Sequence, residues 1–164
     1  MSPDAIINQV ESYDCKLVEI TGGEPLLQKE VPELALRLLD KNYTVLLETS
    51  GERDISVLDK RVIKIMDLKC PGSKESHRNR WENLEHLTPE DEVKFVIKDR
   101  EDYEWSREAV KKHDLENRVR ILFSPVWGDL EPEDLAQWIL QDKLNVRYQL
   151  QLHKFIWSPE TKGV

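Results

Sequence analysis

Short runs rich in β-branched residues alternate with longer amphipathic runs along most of the chain. Each short run stops at a glycine, a proline or a polar residue, which is typical of strands that lead into loops. This pattern predicts six strands, at 16–21, 43–48, 62–68, 92–97, 119–123 and 146–152. Helical spacing of apolar residues, with start signals such as Ser2 before Pro3, predicts helices that begin near Pro3, Val31, Glu101 and Pro132.

Strands and helices in strict alternation predict a parallel α/β sheet, either doubly wound or curved into part of a barrel. In both architectures ligands bind beyond the carboxyl ends of the strands. The segments that follow the predicted strands are polar or contain glycine, and they lie at 21–24, 48–51, 67–73, 98–99, 124–127 and 151–154. We therefore look for candidate chemistry in these segments.

Composition narrows the class of function. Lys and Arg number 24 against 32 Asp and Glu, a net charge of −8, which argues against a broad cationic surface for nucleic acid. No apolar run is long enough to span a membrane, and no signal peptide is recognisable at the start. Two cysteines are too few for a disulfide framework, so we expect a reduced, cytoplasmic protein.

The sharpest motif is the run from Thr21 to Pro25, directly after the first predicted strand. Its two glycines let the backbone bend tightly and present N–H and C=O groups to a ligand. Glu24 adds a carboxylate, and Pro25 fixes the chain before the next helix. Neither GxGxxG nor GxxxxGK[ST] is present, so the loop does not have the pattern of a phosphate-binding loop. The structural alternative is a plain strand-to-helix turn.

This loop resembles the GGEP-type loop of the radical S-adenosylmethionine superfamily, whose backbone groups bind the amino group of the cofactor's methionine part. Further segments in matching order and spacing narrow the resemblance to the 7-carboxy-7-deazaguanine synthase family; they lie at 48–51, 67–73, 94–99 and 151–157. The resemblance implies one domain over 1–164, an incomplete (β/α) TIM-type barrel with mostly parallel strands.

The same resemblance implies a radical lyase of queuosine biosynthesis. Its reaction contracts the ring of 6-carboxy-5,6,7,8-tetrahydropterin to give 7-carboxy-7-deazaguanine. The cofactors implied are S-adenosylmethionine, a [4Fe–4S] cluster and Mg²⁺, and the implied electron donor is of the flavodoxin type. An incomplete barrel leaves a sheet edge and apolar surface to cover, so we also expect a homodimer.

Carried onto this sequence, the resemblance implies site residues at the strand ends. The substrate contacts would be Thr21, His153 and the terminal carboxylate at Val164. The cofactor contacts would be Gly22, Gly23, Glu24, Ser50, Asp67, Lys69, Ser73, Ser124, Pro125, Val126 and Trp127. Position 124 departs from the family pattern, which often has Gln before this Pro. The polar run at 74–85 and the side chains of His77, His86 and His113 are interpreted as solvated.

The number and spacing of the cysteines depart from the family pattern more strongly than position 124 does. Members hold their cluster with a CxxxCxxC triplet just after the first strand, because thiolates are the usual ligands of iron–sulfur clusters. Here Cys15 and Cys70 are far apart and no third cysteine exists. Cys15 is interpreted as a small buried residue and Cys70 as incidental. We expect the first strand and the cluster loop to be missing and this chain to be inactive in the radical reaction.

Two alternatives stay open at this point. One is a cluster-less module that binds S-adenosylmethionine or a pterin without radical chemistry. The other is a radical activase of a glycyl-radical enzyme, which would share the GGEP loop and need a protein partner.

Overall fold

The computed structural model describes residues 1–161, so Val164 lies outside the described residues. The strands are β1 (Leu17–Ile20), β2 (Thr44–Thr49), β3 (Ile63–Leu68), β4 (Glu92–Ile97), β5 (Arg120–Pro125) and β6 (Arg147–Tyr148). The α-helices are α1 (Pro3–Glu11), α2 (Val31–Asp40), α3 (Arg100–Lys112), α4 (Pro132–Asp142) and α5 (His153–Ile156). Ser2 caps α1 by accepting from the N–H of Ala5, which confirms the start signal in the sequence.

The six strands form one sheet in the order β1-β2-β3-β4-β5-β6, and every pair is parallel. Crossovers between parallel strands are right-handed, so an order that never reverses puts all of them on one face of the sheet. This is the winding of a TIM-type barrel, because a doubly wound sheet reverses its strand order. The predicted parallel α/β class is confirmed.

The strands have one face covered by the crossovers and one open face. In β2, the side chains of Val45, Leu47 and Thr49 are buried, whereas Leu46 and Glu48 are half-buried on the opposite face. The strands β3 and β4 show the same alternation. We call the second face, which no crossover covers, the open face of the sheet.

The prediction of strict alternation is wrong at two crossovers. Between β2 and β3 the chain forms only the 3₁₀ turn Ile55–Val57. Between β3 and β4 it forms the turns Pro71–Ser73, Ser76–Arg78 and Trp81–His86. Both segments begin with helix-breaking glycine or proline, and neither carries a sustained apolar repeat at helical spacing. The last predicted strand is also shorter than expected, because only Arg147 and Tyr148 pair with β5.

Aromatic residues fill the core between β4, β5 and the helices. Phe95 and Phe123 meet edge to face with ring centroids 5.5 Å apart, and Tyr103 of α3 meets Phe123 in the same way at 6.1 Å. Trp138 of α4 packs on Tyr103 with ring centroids 5.3 Å apart. Within residues 1–161, no helix combines the length and apolarity needed to cross a bilayer.

A buried ion pair joins the amino ends of β3 and β4. Lys64 Nζ lies 3.1 Å from Asp91 Oδ2, and both side chains are almost fully buried. The other oxygen, Asp91 Oδ1, accepts from the N–H of Lys64 at 2.7 Å. Since this pair sits at the sheet edge opposite the predicted site, it belongs to the framework of the fold.

Candidate functional site at the carboxyl ends of the strands

Glu24 ties the loop after β1 to the end of β2. One of its oxygens accepts from the backbone N–H of Ser50 at 2.7 Å and from Ser50 Oγ at 2.6 Å. Thr49 Oγ1 lies 2.9 Å from both oxygens, and the N–H of Leu26 donates to the other oxygen at 3.0 Å. The carboxylate is therefore engaged by its own protein, and it fixes the loop that precedes it.

That loop presents backbone to open space. Gly22 and Gly23 adopt φ values of +99° and +56°, a region that favours glycine. No heavy atom lies within 4 Å of where a Cβ would stand on either residue. Backbone groups at this strand end can therefore approach a ligand closely.

A polar network occupies the open face next to this loop. Thr21 Oγ1 donates to Glu48 Oε2 at 3.2 Å, and Lys94 Nζ donates to Glu48 Oε1. Glu19 points to the same face, where burial and the nearby negative charge of Glu48 raise its pKa. Glu48 and Lys94 lie in the segments 48–51 and 94–99 that carry the family resemblance, but neither is among the predicted site residues. Strand alternation could have found them, since it puts charged residues on a face that no helix covers.

A cavity of about 390 Å³ opens where the loops after β3, β4 and β5 meet. This volume lies in the range of small-molecule sites. Its wall includes four of the predicted cofactor contacts, which are Asp67, Lys69, Ser73 and Val126. Lys69 Nζ is 2.6 Å from Asp67 Oδ2, so the cation is held at the rim by a neighbouring carboxylate.

A second cavity, of about 380 Å³, adjoins the first through Val126. Pro125, Trp127 and Phe155 contribute apolar wall, and the ring of Trp127 meets Phe155 edge to face at 4.6 Å. Ser124 is buried behind this wall. His153 is half-buried at the start of α5.

Two of the interpretations of surface residues are wrong, whereas His77 and His86 are exposed as expected. The run at 74–85 is only partly solvated, because Asn79, Asn83 and Leu84 are buried in it. His113 stacks on Trp81 with ring centroids 4.2 Å apart and an interplanar angle of 7°. A polar local sequence does not reveal that these side chains have partners far along the chain.

The residues present do not fit an iron–sulfur cluster. Cys15 is exposed rather than buried, because it lies in the irregular segment between α1 and β1, outside the sheet. Cys70 is buried against Ser106 Oγ at 3.3 Å, and burial raises its pKa to about 12, so it is a neutral thiol. The part of the chain that the structure describes holds no group of three or more His, Cys, Asp or Glu side chains able to bind a metal ion.

Comparison with known proteins decides the family. No family model matches the sequence. A curated relative from Koribacter versatilis, a 7-carboxy-7-deazaguanine synthase, is 50% identical in an alignment that covers 100% of this chain and 79% of the relative. The chain belongs to the 7-carboxy-7-deazaguanine synthase family.

Solved structures agree with this family on the fold. The crystal structure of QueE from Escherichia coli matches with a TM-score of 0.73 at 19% identity, over 92% of this chain and 64% of that one. The crystal structure of Streptococcus suis SuiB bound to S-adenosylmethionine matches with a TM-score of 0.61 at 16% identity, over 89% of this chain and 40% of that one. Family membership favours a 7-carboxy-7-deazaguanine synthase homologue over a glycyl-radical activase.

Proposed function

We propose that this chain provides the cofactor- and substrate-binding part of a 7-carboxy-7-deazaguanine synthase. S-adenosylmethionine would lie across the loops after the strands, and 6-carboxy-5,6,7,8-tetrahydropterin would lie on the open face beside them. The observation that supports this assignment is that six of the eleven predicted cofactor contacts line two adjoining cavities at the carboxyl ends of the strands; they are Asp67, Lys69, Ser73, Pro125, Val126 and Trp127.

The residues at this edge suit each part of S-adenosylmethionine. The backbone of Gly22 and Gly23 would take the amino group, and the Lys69 cation would offset the carboxylate. Ser50 would face the ribose, while Val126 and Trp127 offer apolar surface for the adenine ring. When bound, the cofactor supplies the 5′-carbon at which the family's chemistry begins. The chain's own share is to orient cofactor and substrate and to exclude water.

The polar network on the open face suits a carboxylated pterin. Glu48 would accept from the N–H groups along one edge of the pterin ring, held in place by Thr21 and Lys94. Lys94 would also offset the charge of the substrate carboxylate. His153 and Val164 enter the proposal from the family resemblance, as further substrate contacts.

Substrate binding can be tested with one variant and a matched control. Lys94→Met should weaken the binding of 6-carboxy-5,6,7,8-tetrahydropterin about ten-fold or more. The reason is that the substrate carboxylate loses its charge partner on the half-buried open face. Lys60→Met, at an exposed lysine, should leave the affinity unchanged. Isothermal titration calorimetry measures both, and equal affinities for the two variants would refute the assignment of the open face.

A cluster-less binding module is the second candidate, and the cysteines favour it for the chain as it stands. Two cysteines, one buried and neutral, cannot supply three thiolates. We therefore assign no radical step to these residues. Anaerobic reconstitution with iron and sulfide should give no [4Fe–4S] signal by electron paramagnetic resonance and no 5′-deoxyadenosine. Detection of both would show that this chain is an active enzyme.

The proposal extends to partners and setting. Exposed apolar side chains on and around α5 support a homodimer; they are Leu152, Phe155, Ile156 and Trp157. A flavodoxin-type donor and Mg²⁺ enter from the family resemblance, without ligands assigned among residues 1–161. The low cysteine content supports a cytoplasmic location.

A further inference from the structure

The segment 76–86 carries two buried asparagines where a complete barrel would carry a crossover helix. Asn79 is 9% exposed and Asn83 is 0% exposed, although charged residues surround both in the sequence. A buried side-chain amide must have hydrogen-bond partners, and its partners reveal what it holds. We call residues 76–86 the polar strut.

Asn83 holds the loop that follows β2. Its Nδ2 donates to the carbonyl of Gly51 at 3.0 Å and to the carbonyl of Arg53 at 2.7 Å. Its Oδ1 accepts from the N–H of Ile55 at 3.2 Å. Both amide hydrogens are therefore used on one loop, and that loop begins at Ser50, directly after the last residue of β2.

Asn79 holds the loop that follows β3. Its Oδ1 accepts from the N–H of Lys69 at 2.9 Å, and its Nδ2 donates to the carbonyl of Lys69 at 2.9 Å. The side-chain amide thus pairs with both backbone groups of one residue, as a neighbouring strand would. This fixes the backbone at the point where the chain enters the wall of the 390 Å³ cavity.

The two asparagines together connect the polar strut to two loops, those after β2 and β3, whose own crossovers contain no α-helix. We infer that Asn79 and Asn83 are positioning residues for S-adenosylmethionine, acting through Ser50 on one side and the run from Lys69 to Ser73 on the other. This inference rests on the proposed function, since it assumes that these loops hold the cofactor. The pterin contacts Glu48 and Lys94 lie within strands and do not depend on the polar strut.

The test compares Asn79→Ala and Asn83→Ala with Asn117→Ala, which alters an exposed asparagine bonded only to nearby Asp114. Calorimetry is run on the full chain at a temperature where circular dichroism shows every variant folded. Each strut variant should bind S-adenosylmethionine about ten-fold more weakly, because the loop loses two or three bonds. Affinity for 6-carboxy-5,6,7,8-tetrahydropterin should stay within about two-fold, a split that a general loss of structure would not give.

Amide hydrogen exchange locates the effect. Exchange at Lys69 should accelerate in Asn79→Ala and exchange at Ile55 in Asn83→Ala, with the rest of the sheet protected as in the unaltered chain. If an alanine variant does not fold, the aspartate substitution at the same position replaces it, Asn79→Asp or Asn83→Asp, because this substitution keeps the acceptor for the backbone N–H and turns the donor into an oxygen that repels the facing carbonyl. Its cofactor affinity should fall in the same direction.

The outcomes separate the two proposals. If the unaltered chain binds S-adenosylmethionine and the folded strut variants bind it equally well, the positioning role is wrong and the proposed function stands. If the unaltered chain does not bind S-adenosylmethionine, the proposed function fails and takes the positioning role with it. If cofactor and pterin affinities fall together, the polar strut supports the fold in general and the inference is wrong.

Discussion

Single carboxylates organise the loops of this site by accepting hydrogen bonds from their own chain. Glu24 does so at the ends of β1 and β2. Asp102 does so further along, where its almost fully buried oxygens accept from the N–H of Gly72 at 2.7 Å and from the N–H of Lys98 at 3.1 Å. At the residue scale, the site is thus held by side chains that face the protein rather than the ligand.

Gly72 is required by this arrangement because a Cβ there would stand 2.6 Å from Asp102 Oδ2. We expect Gly72→Ala to lower the free energy of unfolding by about 1–3 kcal/mol, the usual range for an overpacked contact. Urea denaturation measures the change. Gly128→Ala is the comparison, because its Cβ would meet open space and only its φ of +81° is unfavourable. A larger loss of unfolding free energy in Gly128→Ala than in Gly72→Ala would contradict the expected steric clash with Asp102.

The two thiols should differ sharply in reactivity. Cys15 is exposed, whereas Cys70 is buried and has a pKa of about 12. Since the thiolate is the reactive form, a disulfide reagent at about pH 8 should titrate one thiol in the native chain and two after unfolding in urea. Cys15→Ser should remove the native reaction. Two rapidly reacting thiols in the folded chain would show that Cys70 is accessible.

At the element scale, α3 and the polar strut pack through a stacked aromatic pair. His113, at the end of α3, lies flat on Trp81 of the strut, and Trp105 flanks Trp81 at 6.2 Å between ring centroids. Burial lowers the pKa of His113 below its ordinary 6.5. The packing of His113 on Trp81 therefore favours the neutral imidazole, so the stability of this contact depends on pH.

The sign of that coupling gives a prediction. Because the folded-state pKa is below the unfolded value, the contribution of His113 to stability is fully present above about pH 6.5 and is lost as the pH falls through the folded pKa. Denaturation midpoints between about pH 7.5 and pH 5 should fall less in His113→Phe, which keeps the ring, than in the unaltered chain. Identical pH profiles for His113→Phe and the unaltered chain would mean that His113 has the same pKa in the folded and unfolded states.

Local pattern predicted most elements but not the irregular crossovers. Periodicity predicted β4 at its observed bounds and the start of α3 to within one residue, because each has apolar residues on one face. It did not find the roles of Asn79 and Asn83, since their partners lie 10 to 32 residues away along the chain. The resemblance supplied the loops of the candidate site. It did not predict the contact between Glu48 and Lys94, which are 46 residues apart in sequence and come together through the parallel pairing of β2, β3 and β4.

At the scale of the whole molecule, the two ends of the parallel strands have different roles. We call them the carboxyl edge and the amino edge of the sheet. The carboxyl edge carries the loops and cavities of the candidate site, and the amino edge carries the buried pair of Lys64 and Asp91. Active sites of this architecture lie at the carboxyl edge, so the amino edge is free to serve stability alone.

One substitution tests whether the amino edge contributes to stability without affecting cofactor binding. Lys64→Met should lower the free energy of unfolding by about 3–5 kcal/mol, because it leaves a buried carboxylate without its cation. Affinity for S-adenosylmethionine, measured below the unfolding transition, should be unchanged. Weaker cofactor binding by the folded variant would show that the two edges are coupled.

The sequential order of the sheet also bears on how the chain is made. Within residues 1–161, every strand from β2 onward pairs with the strand that precedes it in sequence, so none of these pairings needs a distant later segment. During synthesis each new strand therefore emerges to meet a template that is already complete. A chain with this strand order can fold on the ribosome by adding one strand at a time. The last strand already formed leaves one unpaired edge, and the next few dozen residues supply the strand that covers it.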